Sequence, residues 1–434
     1  MSILKEKDLA AEALIDEQFL SLSKGRTAPP GGFLYKDAFN AQAGKDLRKV
    51  FKMVTGVETG YNEEQARRIA MSSWVGDPLS DVAILQMRRE GCDVHQIMHT
   101  FLTEGINGVS NYPPELAELW EQVGVVPEWV EWDRIERGAR AYRRFGVQGH
   151  RYQGIGSLDM YRVLSIARTL MSTGQYADDT TYKRYLLTCN FWTEISEPHG
   201  MRPFNEGWKV ALRVRLLHTL IRRAVFGSTR WEPEKFGMPI NQSGMLTAPL
   251  ISSAMMCKSM QVLGYKLTDD EVEDVIHLWQ YVAHVMGYQR ENIFPSDIPG
   301  AVQAMHDSLL LNTPSEDPDC IRLGRSFMDS FKPHPGATFK DRARQWVGYK
   351  IGIAQSALFV SPDTRRAMKL PNPWPWTVPY LIAQFPKNRW QDIRRLKDPV
   401  YALKLDEKVR AQRYHWLKTQ LSDVEMSYQP KSKF

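Results

Sequence analysis

Apolar positions recur along this chain every three to four residues, and alternating runs of the strand kind are scarce, so the pattern predicts helices nearly throughout. After the turn Pro29-Pro-Gly-Gly32 the spacing predicts helices over about 44–54, 62–73, 79–90, 93–106 and 114–123. A further helix follows Pro127 and ends near Phe145. The most apolar stretch is central, with helices expected over about 157–173, 179–195, 205–226, 243–263 and 269–287. Two of these ends are well signed: Gly264 reads as a C-cap, and Thr268-Asp-Asp-Glu271 reads as a capping box. From about 299 to 420 helices continue, broken by the stiff segment Pro371-Asn-Pro-Trp-Pro-Trp-Thr-Val-Pro379. No βαβ unit, phosphate-binding glycine loop, internal repeat or linker interrupts the pattern. The fold class expected is all-α, one helical domain with additional N- and C-terminal helices.

Composition narrows the function. The chain has 434 residues, 43% hydrophobic and 24% charged, which suits a globular protein with a large core. Its net charge of +6 comes from Lys and Arg interleaved with acids, without the basic stripe that nucleic acid would need, so no nucleic-acid partner is expected. The basic tail Gln429-Pro-Lys-Ser-Lys-Phe434 reads as a frayed end. Cys92, Cys189, Cys257 and Cys320 are far apart and form no CxxC, which excludes a zinc ribbon and a c-type haem attachment and suits reduced thiols. The first residues mix both signs of charge without an apolar centre, and no apolar run is long enough for a membrane span. The expectation is a soluble, cytoplasmic protein.

The candidate chemistry sits in the 205–226 helix. It is apolar enough to be buried, yet it carries Arg215, His218 and Arg222 at i, i+3 and i+7, on one side of the helix. Unpaired buried charge is expensive, so such a trio needs a partner. A flat, anionic, metal-bearing ligand would supply one: the imidazole reaches the metal and the guanidinium groups sit near its carboxylates. Haem fits that description. The alternative is a core histidine flanked by arginines that reach solvent. The short connection Glu197-Pro-His-Gly-Met-Arg-Pro203 makes the two flanking helices antiparallel, which sets His218 level with Arg184. Arg184, Leu187 and Thr188 share a face and would form the ceiling over a haem whose proximal ligand is His218. There Arg184 would stabilise developing negative charge on oxygen and Thr188 would offer a hydroxyl donor. Leu187, Phe191, Trp192 and the methionines of 245–260 would supply an apolar pocket.

The segment Arg215-Leu-Leu-His218-Thr-Leu-Ile-Arg222 resembles the signature of the latex clearing protein (rubber oxygenase) family, which also contains the mycophenolic-acid-pathway oxygenases. Gly76-Asp-Pro-Leu-Ser-Asp81, Trp129-Val-Glu-Trp-Asp-Arg-Ile-Glu-Arg-Gly138, Gly237-Met-Pro-Ile-Asn-Gln242 and Leu278-Trp-Gln-Tyr-Val282 resemble further family segments, in the family's order. The resemblance implies a globin-like helical core with a non-covalent haem b, His218 as axial ligand and metal-binding residue, and Arg215 and Arg222 as cofactor-binding neighbours. It implies O₂-dependent cleavage of carbon–carbon double bonds in apolar molecules, with Arg184, Leu187 and Thr188 on the distal side. Residues 1–74 would be a helical extension, 75–300 the haem-binding core and 301–434 a helical region packed on it. Two departures point away from rubber and towards a smaller alkene. Rubber-cleaving members carry a distal lysine where Leu187 stands, and Asp159 does not match their distal carboxylate. A haem carrier or sensor, or a peroxide-dependent enzyme, would use the same His218.

Other constellations carry less. Cys92, His95 and His99 share a helix face, but the Glu required after the first histidine of a zinc-peptidase motif is absent, and chance alignment accounts for them. His277 and His284 read as structural and His199 as exposed. No nucleophile-elbow or Ser/His/Asp pattern appears, which disfavours a hydrolase.

Overall fold

Helices begin where side chains can satisfy their first free N–H groups. The Thr268 hydroxyl accepts from the Glu271 amide at 3.2 Å while the Glu271 carboxylate accepts from the Thr268 amide at 3.0 Å, a reciprocal box that starts the Asp269–Val285 helix. Asp77, Asp93, Asn241 and Asp297 cap other helices in the same way. At the opposite end of the 242–263 stretch Gly264 takes a left-handed conformation. The computed structural model describes residues 2–172, 179–289, 294–312, 314–333 and 338–421, and every regular element among them is helical. The tail 429–434 and residue 173 of the expected 157–173 helix lie outside the described residues.

Most elements fall where the apolar spacing puts them, including Gln42–Thr55, Pro78–Arg89, Val94–Glu104, Pro114–Gly124, Asp179–Glu194 and Glu206–Phe226. Four differ. Ser2–Ser21 and Tyr35–Asn40 are helices that the sequence did not announce. The expected 157–173 helix is two, Gly146–Met160 and Leu164–Ser172, and the first begins in a glycine-rich run whose low propensity is overridden by packing. The 243–263 helix is interrupted: Pro249 lacks an amide donor, and the ladder widens to a π-type turn over Ile251–Met255 with Ser253 off helical geometry. The proline-rich 371–379 segment does not stop a helix. Trp374–Arg395 starts inside it, Pro375 lies in the first turn, and Pro379 and Pro386 are carried within.

The core forms around Asp269–Val285. Trp132–Arg143 lies directly along it, because Gly138 lets the two backbones touch: a Cβ at Gly138 would sit 2.1 Å from the Asp274 carbonyl. Arg134 and Arg137 close on the Asp274 carboxylate at 3.0 and 2.7 Å. Trp208, Leu212 and Leu216 fill the space beside Val272, Val275 and Ile276, all essentially without exposure. Both ends of the chain are tied to this centre. Tyr35 donates to Asp307 at 2.7 Å, and Met238 donates its amide to the Ser73 carbonyl at 2.9 Å. From the C-terminal side Asp392 pairs with Arg144, Asp406 with Arg143, and Arg413 with Glu197. No described helix is long and apolar enough to cross a membrane.

The core also holds a histidine that must stay neutral. His150 is buried between the rings of Trp192 and Trp416, 3.2 Å from the Thr193 hydroxyl. Burial, helped by the Arg413 charge, pushes its pKa down to about 3. Unfolded histidine titrates near 6.5, so the unfolded chain takes up a proton that the folded chain refuses. This contribution to stability is whole above about pH 6.5 and is lost as pH falls towards about 3, roughly 2 kcal/mol of it by pH 5. In His150→Gln, the drop in urea midpoint between about pH 7.5 and 5 should shrink relative to the parent; an equal drop would mean that His150 does not titrate in this way.

Candidate active site

The Glu206–Phe226 helix is fastened on one flank and open on the other. At about 100° per residue, Arg215 and Arg222 stand roughly 60° and 40° to one side of His218, while Val214, Leu217 and Ile221 stand to the other. The fastened flank meets the Gly76–Asp81 turn. Arg215 forks onto Asp77 with Nε and Nη2 at 2.6 and 2.9 Å, both side chains almost fully buried. Two turns on, Arg222 pairs with Asp81 and donates to the carbonyls of Pro239 and Ile240 at 3.2 Å. Thr219, between them, donates to Ser80 at 2.8 Å. Burial pushes the Asp81 carboxyl up to about 6 against the pull of Arg222, with the Asp77 charge adding to the rise.

Two further pieces close this clasp. Gln242 donates to the carbonyls of Gly76 and Gly287 at 2.6 and 3.0 Å and accepts from the Gln289 amide at 2.9 Å. Gly287 has φ +87°, and a Cβ there would lie 2.3 Å from the Asp77 carboxylate, so only glycine admits the ion pair. Ile240 is held at φ +48°, a strained position for a β-branched residue, while Arg222 grips its carbonyl. The expectation that Arg215 and Arg222 face ligand carboxylates is therefore corrected. Neither borders the cavity, and both guanidinium groups are occupied by protein carboxylates. The shared spacing placed them on one side of the helix, but that side faces the protein.

The open flank borders a cavity of about 640 Å³. His218 lies on its wall, half-buried, with Nδ1 enclosed and without a hydrogen-bond partner. Burial first, then the positive charges of Arg222 and Arg184, push its pKa down to about 3, opposed by Asp77. The ring is thus a neutral nitrogen donor at physiological pH. Across the gap the antiparallel Asp179–Glu194 helix brings Arg184, Leu187 and Thr188 to the same cavity. The Thr188 hydroxyl donates back to the Arg184 carbonyl at 3.1 Å, so in this arrangement its proton is engaged within the helix. Phe191, Trp192 and Met245 contribute apolar wall; Met256 and Met260 are core instead.

Three cations, Arg184, Arg213 and Lys235, border the cavity, and among its described lining residues there is no carboxylate. Arg213 and Lys235 were missed from the sequence. Arg213 lies only two residues before Arg215, but that step turns it to the opposite flank. The π-type turn after Pro249 also reaches the wall through Ile251 and Ser252, and a proline within an apolar helix was its visible signal. Pro30, Ser73, Leu311 and Phe327 line the cavity as well, so its wall extends beyond residues 75–300. Asp159 is elsewhere, accepting from the Ser361 hydroxyl and amide at 2.7 and 3.0 Å.

The chain matches the family described as "ER-bound oxygenase mpaB/B'/Rubber oxygenase, catalytic domain" over residues 158–387, more than half its length. It belongs to this family. The rubber oxygenase of Streptomyces sp. (strain K30) is 22% identical over 183 residues, which are 42% of this chain and 45% of that relative; the chain thus spans less than half the length of this curated relative. The solved structure of latex clearing protein in the closed state superposes with a TM-score of 0.58 at 16% identity, covering 83% of this chain and 93% of that one. At this identity the likeness speaks for the all-α fold.

The remaining histidines are placed by packing. His277 accepts from the Glu131 amide at 3.1 Å, His284 lies 3.0 Å from the Gln122 carbonyl, and exposed His199 pairs with Glu136 at 3.1 Å. Among the described residues no three His, Cys, Asp or Glu gather around a metal-sized gap, the face of Cys92, His95 and His99 included. The clasp makes a sharp expectation. Arg215→Gln leaves Asp77 buried and unpaired, and should lower the stability of the ligand-free protein by about 3–5 kcal/mol in urea denaturation. An unchanged midpoint combined with loss of a bound ligand would return Arg215 to the ligand site.

Proposed function

We propose that this chain is an oxygenase that holds haem b through His218 and uses O₂ to cleave a carbon–carbon double bond in a small apolar molecule. The observation that carries this reading is the composition of the cavity wall: one neutral imidazole, three cations, no described carboxylate and an otherwise largely apolar lining. A lone imidazole is a poor cage for a free metal ion, which needs three or four donors, but it suffices for a metal already held in a macrocycle. Arg184, Arg213 and Lys235 suit the macrocycle's carboxylates or a developing negative charge, and their positions leave Arg215 and Arg222 free to fasten the helix. When bound, haem iron would supply the activation of O₂.

The chain's own residues set the rest. The clasp fixes the His218 ring, and burial keeps it unprotonated. Leu187 offers no atom that could ligate a metal. Arg184 places positive charge where oxygen would become anionic. Phe191, Trp192 and Met245 favour an apolar substrate and exclude water. With neither a lysine at Leu187 nor a carboxylate on the described wall, a small alkene is favoured over polymeric rubber. Residues 75–300 would form the haem-binding core, with Pro30, Ser73, Leu311 and Phe327 from the flanking segments 1–74 and 301–434 adding to the wall.

Purified protein should carry a Soret band, and His218→Ala should lose it; a variant that retains full absorbance would remove His218 as the ligand. Leu187→Lys should convert the ferric spectrum to a six-coordinate form, and an unchanged spectrum would place Leu187 away from the metal. Arg184→Ala should slow O₂ consumption with small alkenes by about 10²-fold while most haem is retained. Equal losses of haem and activity would make Arg184 structural, and a coloured protein without O₂ uptake would favour a carrier or sensor.

A further inference from the structure

The Trp374–Arg395 helix is inside out. Beside Tyr380, Trp376 and Leu381, which pack into the core, its inward side is polar: Thr377 donates to the Ala354 carbonyl at 3.0 Å, Asn388 to the Leu263 carbonyl at 2.9 Å, and Asp392 is wholly buried against Arg144 and Arg395. Its outward positions are apolar: Trp374, Val378, Ile382, Phe385, Trp390 and Ile393 are all exposed, Ile382 at 70% and Trp390 at 57%. A soluble surface helix has the reverse arrangement. The exposed face continues onto Leu396, Val400 and Leu403, and contiguous apolar surface of this kind marks an interaction site.

Charge identifies the occupant. Residues 338–404 contain 13 Lys and Arg against four Asp and Glu, a net +9, although the whole chain carries only +6. The even scatter of charge expected from the sequence is corrected here: basic residues concentrate in this region. Exposed Lys387, Arg389, Arg394 and Lys397 flank the apolar face, while the helix's one acid, Asp392, is turned inward. A second copy of the same surface would meet it with like charge. From Trp374 to Trp390 the helix runs about 24 Å, long enough to lie flat on an interface with these two exposed indoles at headgroup depth.

We propose that this face docks the protein peripherally on a membrane surface rich in anionic phospholipid, with the apolar side chains entering the headgroup boundary and the cations pairing with lipid phosphates. The full chain should sediment with vesicles of phosphatidylcholine mixed with phosphatidylserine and much less with phosphatidylcholine alone, and high salt should release it. Ile382→Glu/Trp390→Glu and, separately, Lys387→Glu/Arg389→Glu should each weaken this binding by at least about tenfold with the helical circular dichroism unchanged. Binding that survives both variants, or is absent from anionic vesicles, would overturn the proposal. So would an oligomer in sedimentation equilibrium that Ile382→Glu dissolves, because the face would then belong to a second copy. None of these readouts requires haem or turnover.

Discussion

Two buried ion pairs, Arg215 with Asp77 and Arg222 with Asp81, fix the position of the helix on which the site is built. Each removes a guanidinium and a carboxylate from water; the fork onto Asp77 repays this for Arg215, and Thr219 and the carbonyls of Pro239 and Ile240 add to the Asp81 pair for Arg222. The pairs stand about two turns apart on the helix, so it can neither slide nor rotate without breaking both. His218 lies between them and inherits that rigidity. Under the proposed function, such support would aim the ring before a metal arrives.

The same contacts explain why distant segments converge. The Gly76–Asp81 turn supplies both carboxylates, the Gly237–Gln242 segment supplies the carbonyls and the Gln242 amide, and Gly287 leaves room for Asp77. Segments that look like separate motifs along the chain are one three-dimensional fastening. The cavity on the other flank is left with the opposite electrostatic character. Arg184, Arg213 and Lys235 border it, and its imidazole is held neutral by burial and neighbouring positive charge.

The C-terminal helices show the same division of labour. Asp392, Asp406 and Arg413 anchor them to the core through buried or nearly buried pairs, which frees the outer face of Trp374–Arg395 from any duty to the fold. Polar anchoring inward is what allows hydrocarbon outward. A helix held only by apolar packing would have had to bury Ile382 and Phe385.

Local rules in the sequence determined the all-α class, the long central helices, the Thr268 capping box and the Gly264 cap, because period, propensity and capping act within a few residues. They also placed Arg184, Leu187 and Thr188 on the same cavity wall as His218, since a short connection keeps consecutive helices close. Other features lay beyond any local rule. Arg215 and Arg222 share the His218 side of their helix, and nothing in their spacing says whether Asp77 and Asp81 or a ligand will meet them; the partners are more than a hundred residues away. The helix over Gly146–Met160, the π-type turn after Pro249, the role of Arg213 on the wall and the inversion of Trp374–Arg395 likewise depended on which neighbours arrived. Tertiary packing decided these, because burial and charge pairing are properties of the assembled surfaces and outweigh the propensities of single residues.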